Sequence, residues 1–519
     1  MARLDRFLYI LLAVLLATLP FEFRSTAILS NLQWMFVAVA AVALPIIFRE
    51  RQRLLGERLV LAAFLFVCVQ WLSALLAPEF AANAAKAAVR VTAGFIILCV
   101  SLCVRNSLGL KRTLAVSAVA AALYGMVDLA GYGRPQLFRD VNFYYANVTR
   151  LSGSFEYPNI AAAFFALSLP IVISAAGPRW FRITGTLIVW SALILTYSRG
   201  AVIAAVLMLL IWGVRSRAKI ILPLLFLCGG ILAVAAVLQP TVARRFLGLQ
   251  SRFAFSVQYE PQFNLLRRSP NQTETFVLRM RNNGTRQWVS IDGKPFWLRY
   301  RWFDPVTKKV VLEPNRYTPV PVPIQPEGSV EIAAPLRTPS SPGLYILTWD
   351  LFGREPGWFN LRGIYPAIVE VEIQPGIEPW SGNGDVTRWQ ARDISSAFVT
   401  NDPFERLQLW KTGLQMFAER PVFGAGMDNF RLLHGRRYGL TDWDRTIRAN
   451  SLYLELLTGS GLAGLGAFMF MMGAVRWKLD AASVALGIFL IHGLVDDFLM
   501  TTPVYFAFWF LLGQAGRKE

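Results

Sequence analysis

Two arginines stand where apolar runs meet their connecting turns, and a charge so placed is costly unless it meets water, a partner or an anionic ligand. Arg150 lies in Arg150-Leu151-Ser152-Gly153-Ser154-Phe155-Glu156-Tyr157-Pro158-Asn159, immediately before the apolar stretch that begins near 159. Arg199 lies in Thr196-Tyr197-Ser198-Arg199-Gly200-Ala201, between two apolar stretches whose connection is only a few residues long. A turn that tight holds its arginine at a membrane surface. A planar guanidinium gives paired, charge-assisted hydrogen bonds to phosphate oxygens and needs no metal to neutralise them. The plainer use of either arginine is to snorkel to lipid headgroups or to close a structural ion pair.

A third basic group precedes the apolar run near 451: Arg431, His434, Arg436, Arg437, Arg445 and Arg448, interleaved with Tyr438, Asp442, Trp443 and Asp444. Arginines among aromatic residues suit a sugar diphosphate, because aromatic faces stack on sugars while cations hold phosphates. The alternative is a solvated charge run. Ahead of it, Pro421-Val422-Phe423-Gly424-Ala425-Gly426 supplies two glycines that permit a tight, close-approaching backbone. Asp496 and Asp497, close to His492, read either as a proton relay or as residues of a short outer loop that water solvates, the second fitting better.

These residues need a membrane scaffold. Of 519 residues 55% are hydrophobic and 16% charged, with a mean hydropathy of +0.43, which excludes a wholly soluble enzyme. Lys and Arg exceed Asp and Glu to give +19, which in so apolar a chain indicates cytoplasmic loop charge and an anionic lipid bilayer; no nucleic-acid motif is present. Cys68, Cys99, Cys103 and Cys228 fall inside apolar runs without a CxxC pair, so neither a disulfide framework nor a thiolate metal site is indicated, and no cofactor is expected. Apolar stretches begin near 7, 27, 59, 87, 112, 159, 180, 199, 219, 451, 478 and 498, predicting twelve spans. The first has no small-residue cleavage site and reads as a retained helix rather than a signal peptide. Alternate loops carry Arg49, Arg51, Arg53 and Arg58; Arg105, Lys111 and Arg112; Arg179 and Arg182; Arg215, Arg217 and Lys219; Arg476 and Lys478; and Arg517 and Lys518. That asymmetry predicts both termini in the cytoplasm and segment 239 to 450 outside.

Within the outer segment, 264 to 375 changes to period two. Phe276, Leu278 and Met280 alternate with polar neighbours, as do Phe296, Leu298, Tyr300 and Trp302, and Tyr345, Leu347, Trp349 and Leu351. Asn282-Asn283-Gly284 is a hairpin signal, and the proline-rich run 317 to 323 reads as an edge or extended segment. An immunoglobulin-like β-sandwich is expected. Beyond it, Leu407, Trp410, Leu414 and Phe417 recur at helical spacing, predicting an amphipathic helix that lies on the outer membrane boundary or packs on the sandwich. The expected divisions are 1 to 240 for nine spans, 264 to 375 for the sandwich, 390 to 450 for the amphipathic helix and basic loop, and 451 to 519 for the last three spans.

The order of Arg150...Gly153...Pro158-Asn159, then Thr196 to Ala201, then Arg406...Trp410...Pro421...Gly424-Ala425-Gly426, then Asn450-Ser451-Leu452-Tyr453-Leu454-Glu455 with Gly459, Gly461 and Gly464, resembles the O-antigen ligase and O-antigen polymerase family. The resemblance covers most of the chain from about 115 to 515. It implies a mainly α, C-type glycosyltransferase-like membrane protein of the bacterial cytoplasmic (inner) membrane. Its implied donor is an oligosaccharide on undecaprenyl diphosphate. The implied acceptor is a lipid A core or a growing polysaccharide, with polysaccharide assembly or export proteins as partners. By motif position Arg150 and Arg199 would hold donor phosphates. Arg406, Arg436, Arg437, Arg445, Arg448 and Tyr453 are the expected substrate-binding residues. Ligases of the family have a histidine where this chain has Asn450, and asparagine has no useful pKa for taking a hydroxyl proton; His434, read as a loop residue, is the remaining candidate. The missing histidine points toward a polymerase. The rival class is a lipid-linked glycan transporter or flippase, against which the chain shows no matching halves with broken helices.

Overall fold

The computed structural model describes residues 2–23, 29–131, 144–145, 148–216, 221–238, 240–246, 256–261, 265–285, 287–288, 296–307, 310–312, 317–353, 357–359, 366–377, 406–437, 445 and 447–517. Tyr438, Asp442, Trp443 and Asp444 of the basic cluster, and Arg217, Lys219 and Lys518 of the loops, lie outside these residues. The chain divides into two compact units. One comprises Met1–Gln250, Trp410–Leu433 and Asp444–Glu519, and the other Ser251–Leu409 and His434–Trp443.

The first unit is helical: α1 (Ala2–Thr18), α2 (Asn31–Arg49), α3 (Arg51–Leu55), α4 (Arg58–Leu75), α5 (Ala81–Cys103), α6 (Ser107–Leu129), α7 (Pro158–Ile173), α8 (Arg179–Leu195), α9 (Arg199–Ser216), α10 (Ile221–Leu238) and α11 (Pro240–Phe246). It resumes through α12 (Arg406–Glu419) and α13 (Phe430–Arg437), each of which begins in one unit and ends in the other, and closes with α14 (Leu452–Gly473), α15 (Ala481–His492) and α16 (Thr502–Gly516). Two-residue strands β1 (Tyr144–Tyr145) and β2 (Val148–Thr149) pair antiparallel before α7.

Local chemistry sets several boundaries. Ser30 and Gln33 close a capping box on α2, Asp480 accepts from Ser483 N at the start of α15, and Pro158 opens α7, where its missing N–H costs nothing. Among the described residues, α2, α4, α5, α6, α9, α10 and α14 are seven helices long and apolar enough to cross a membrane by length and composition, as in a polytopic membrane protein. The other five expected spans form helices of 17, 16, 17, 12 and 15 residues (α1, α7, α8, α15 and α16). At about 1.5 Å per residue these fall short of a hydrocarbon layer of roughly 30 Å. Phe48, Leu75, Phe226, Val237 and Leu238 are exposed, an arrangement that suits lipid and would be costly in water.

The second unit carries two sheets. Strands β3 (Val257–Pro261), β5 (Thr273–Asn282) and β9 (Ser329–Arg337) form one, in the order β3-β5-β9. The other runs β4-β12-β10-β6-β7, from β4 (Leu265–Arg268), β12 (Ala367–Ile373), β10 (Gly343–Gly353), β6 (Trp297–Phe303) and β7 (Val310–Leu312), with β8 (Thr318–Pro319) on β6 and β11 (Gly357–Trp358) on β10. All pairs are antiparallel except β4 with β12. The alternating residues of the sequence pattern meet in one apolar core: Phe276 of the first sheet stacks on Trp349 of the second at 5.7 Å, with Leu278, Leu298, Trp302 and Leu347 buried around them.

Two local expectations change. Asn282-Asn283-Gly284 does form a turn, in which Gly284 N donates to Asn282 Oδ1 at 3.0 Å, but it is not a hairpin. Strand β5 pairs with β3 and β9 while the chain passes on to the other sheet, so long-range pairing overrides the local signal. In α12 the apolar face is also shifted. Leu409, Thr412 and Met416 are buried, Trp410 and Phe417 are half-buried, and Leu407 and Leu414 are exposed beside Arg406 and Lys411.

Candidate functional site

Helix α14 is broken at Gly461 (φ 65°, ψ −162°), which strips its neighbours of their helical hydrogen-bond partners. Segment 421–426 supplies replacements. Ala425 N donates to Thr458 O and Gly426 N to Gly459 O, both at 2.8 Å, while Leu462 N donates to Pro421 O at 2.8 Å and Ala463 N to Val422 O at 3.1 Å. So close an approach requires glycine: a Cβ on Gly424 would stand 2.5 Å from the Gly459 carbonyl carbon, and one on Gly461 2.3 Å from Val422 O. Gly424 and Gly426 also hold φ of 67° and 97°, conformations that cost a side chain. The glycines of the two motifs therefore interlock.

This interlock carries the chain into Asp428, at φ 66°. Arg431 Nη2 reaches Asp428 Oδ2 at 2.8 Å, and Arg448 bridges Asp428 Oδ1 at 3.2 Å and Asp497 Oδ2 at 3.1 Å. Burial pushes the Asp428 carboxyl up, but the Arg448, Arg431 and Arg90 guanidinium groups outweigh it and hold the carboxyl below its usual range. Burial alone would weaken the Arg448 charge; Asp428, Asp497 and Glu455 reverse that and raise its pKa. Glu455 accepts from Ala449 N at 2.7 Å, fixing the backbone that presents Arg448.

Arg150 is held differently. Its Nε donates to Thr196 O at 2.8 Å and its Nη2 to Asn159 Oδ1 at 2.6 Å. Asn159 Nδ2 in turn donates to Asp496 Oδ2 at 2.9 Å, so a neutral amide separates the arginine from the carboxylate. Leu151 N bonds Leu195 O at 2.9 Å, which seats the Arg150 segment on the end of α8. The turn that follows is strained at Tyr197 (φ 56°), whose carbonyl accepts Arg245 Nε at 3.1 Å. Arg199 opens α9, is exposed, and has no partner among the described residues. A Cβ on Gly200 would stand 2.6 Å from the Val495 side chain, so this end of α9 lies on the loop that carries Asp496 and Asp497.

Arg150, Arg199, Arg448 and Asn450 thus belong to one polar assembly in the helical unit. Asn450 sits at φ 51° and its carbonyl accepts Trp410 Nε1 at 3.4 Å, while its amide meets none of the described residues. Tyr453 ties α14 to α15 by donating to Leu490 O at 2.9 Å. Arg445 is exposed and its carbonyl accepts Arg431 Nη1 at 3.1 Å. His434 is not a loop residue: it lies in α13 with its side chain fully buried. Together with exposed Arg406, Arg436 and Arg437, it belongs to the second unit. Asp496 and Asp497 do occupy the loop between α15 and α16, but water does not solvate them; they are 8% and 5% exposed because they serve Asn159 and Arg448.

Sequence reasoning missed Asp428, Arg245 and Arg90. Arg90 donates Nη1 to Met500 O at 2.5 Å. As the one arginine inside the 23-residue apolar α5, it carried a readable signal, since a charge at membrane depth is a functional or structural marker by default. A scan of the chain against protein-family models finds no match, and neither does a search of the curated proteins.

Proposed function

We propose that this protein is a membrane glycosyltransferase, similar to O-antigen ligases and polymerases, that moves a glycan from undecaprenyl diphosphate to an acceptor sugar hydroxyl outside the cytoplasmic membrane. The observation that carries the reading is the uneven pairing of arginines in the polar assembly. Arg431 and Arg448 are neutralised by Asp428 and Asp497, whereas Arg150 is anchored on a carbonyl and an amide, and Arg199 has no partner among the described residues. Cations beside apolar helices that meet no carboxylate directly among the described residues suit an anionic lipid headgroup.

In this reading all twelve apolar helices enter the membrane, the five shorter ones beside a locally thinner layer or within the bundle. Both termini are cytoplasmic, and the assembly faces the periplasm. The second unit is an immunoglobulin-like sandwich, supported by its strand orders, its single core and the parallel β4 with β12. The reaction is a direct displacement. The acceptor oxygen bonds to the anomeric carbon as the bond from that carbon to the phosphate oxygen breaks, with inversion. Undecaprenyl diphosphate leaves, and the acceptor proton passes to solvent or a nearby base. Arg150 and Arg199 stabilise the charge that grows on the leaving diphosphate. Asn450, whose amide meets none of the described residues, is placed to hold an acceptor hydroxyl.

The test is purified full-length protein in detergent with an undecaprenyl-diphosphate-linked oligosaccharide and an acceptor glycan. Acceptor extension with release of undecaprenyl diphosphate, undiminished by chelator, supports the reading. No release, or activity that needs an added divalent metal, overturns it. In cells, deletion that collapses glycan chain length indicates a polymerase, and loss of capping on a lipid A core indicates a ligase. Donor build-up on the cytoplasmic leaflet would instead indicate a transporter.

A further inference from the structure

We propose that a small cavity where α4 begins and α5 and α16 end binds the head-group phosphate of an anionic phospholipid through Arg53 and Arg517. The inference stands apart from the glycosyltransferase reading and needs only that these helix ends lie at a bilayer surface. Helix α5 ends at Cys103, so the carbonyls around its end lack helical donors. Two arginines supply them: Arg53 Nη2 donates to Leu102 O at 3.3 Å and Arg517 Nη1 to Val104 O at 2.7 Å. Packing fixes the second of these. Gln514 Nε2 donates to Ser101 Oγ at 2.8 Å, and a Cβ on Gly516 would stand 2.5 Å from Leu59 Cδ2, so the end of α16 is seated against both α5 and α4 just before Arg517. Arg53 and Arg517 then line one cavity of about 90 Å³ with Leu54, Glu57, Leu102 and Gly516.

The two guanidinium groups act on each other. Burial, and after it the Arg53 charge, hold Arg517 below its ordinary pKa, and among the described residues no carboxylate pairs with it. Arg53 is 57% exposed in its side chain, and its Nη1 stands 3.7 Å from Glu50 Oε2, beyond hydrogen-bond reach, while Arg49 Nε holds Glu50 Oε1 at 3.3 Å. Glu57 is shared with Arg476, whose Nη2 lies 3.9 Å from it. Two arginines and one shared carboxylate leave the cavity a net cation, which suits the single charge of a phospholipid phosphodiester. Forks already anchored on carbonyls lose less entropy when phosphate oxygens arrive. The volume lies below the roughly 300 Å³ of pockets that enclose whole small ligands, so the cavity takes a head-group phosphate and leaves the acyl chains outside. Phe48 and Leu55, which flank the Arg53 segment in sequence, are exposed and offer those chains an apolar surface. Basic pockets between membrane helices hold anionic lipid head groups in this way.

The experiment uses the full-length protein in a neutral detergent, with phosphatidylglycerol as the probe and phosphatidylcholine as its zwitterionic counterpart, read by native mass spectrometry and by thermal midpoint. Wild type should retain phosphatidylglycerol in preference to phosphatidylcholine and gain midpoint from it. Arg517→Gln should weaken that retention about tenfold to a hundredfold, the worth of one charged hydrogen bond, and lose the lipid-dependent gain. Because Arg517 also holds Val104 O, the gain on adding lipid is compared within each variant, so a lower starting midpoint does not obscure the result. Arg112→Gln, at an exposed arginine that does not line the cavity, should leave retention unchanged. Equal retention of the two lipids, undiminished retention in Arg517→Gln, or an equal loss in Arg112→Gln, which would mean diffuse surface charge, would each overturn the assignment. So would inorganic phosphate that displaces the lipid at equal concentration, since the site would then serve free phosphate. Failure of glycan transfer bears only on the glycosyltransferase reading, and failure of lipid retention only on this site.

Discussion

Two groups of arginines share one polar assembly and are held in opposite ways. Arg431 and Arg448 meet carboxylates, Asp428 between them and Asp497 beyond, with Asp428 placed just after the interlocked glycines. Arg150 meets the Thr196 carbonyl just beyond α8, and among the described residues it reaches a carboxylate only through the amide of Asn159. The first arrangement removes charge and stiffens the scaffold. The second fixes the Arg150 cation in place without a described carboxylate beside it, which the proposed reading reserves for a ligand. The partner type therefore separates arginines that build this site from arginines available to a ligand.

The largest effect expected from breaking this contrast is on stability. Asp428→Ala takes one carboxylate from Arg448 and one from Arg431, and breaking a buried pair costs about 3–5 kcal/mol. A thermal midpoint well below wild type is the expected result in detergent. An unchanged midpoint would mean that this cluster is not the scaffold.

Asn159→Asp sharpens the comparison by converting one kind of holding into the other. A carboxylate against Arg150 should cut transfer about tenfold to a hundredfold, the worth of one charged hydrogen bond felt at the transition state. The new charge also faces Asp496, so the midpoint is measured alongside; full activity at wild-type stability would show that the neutral spacer is irrelevant.

The smallest effect concerns acid. Asp428 is held below its ordinary value of 3.8, so it contributes stability that is fully present above that value and is lost as pH falls through its depressed folded value. Unfolding followed from neutral pH down to about pH 3 should show wild type losing stability with a slope below about 1.4 kcal/mol per pH unit from this group. Asp428→Asn should show less acid dependence, and identical slopes would contradict the ion-pair account.

What the sequence made legible follows physical range. Period-two alternation at Phe276, Leu278 and Met280 marks a core-facing strand because side-chain direction is local, and all three are buried. The Asn-Asn-Gly turn was equally local, yet its partner strands were not, and the hairpin expectation failed there. Gly424 and Gly426 announced a close approach, but nothing near them named Gly459 and Gly461 as the backbone approached. Asp428 was hidden for the same reason: its partner Arg448 lies in another loop, as does the Asp497 that Arg448 also meets, and an aspartate after a glycine turn looks like any solvated loop residue. Arg245, at the end of an apolar run, had the sequence signature of a cation that snorkels. In α12 the spacing of Leu407 and Leu414 marks a helix, and a helix is there, but periodicity alone does not say which face the rest of the chain covers.

The account turns on Arg199, an exposed cation at the start of α9 that no described residue neutralises. Arg199→Ala, assayed for transfer from an undecaprenyl-diphosphate-linked donor and for thermal midpoint in the same preparation, should lose about tenfold to a hundredfold in rate and nothing in stability. Arg199→Lys should stay strongly impaired, since lysine keeps the charge but not the planar two-pronged donor. Full activity in Arg199→Ala, or a loss of activity matched by a fall in midpoint, would contradict the claim that this arginine is kept for a diphosphate.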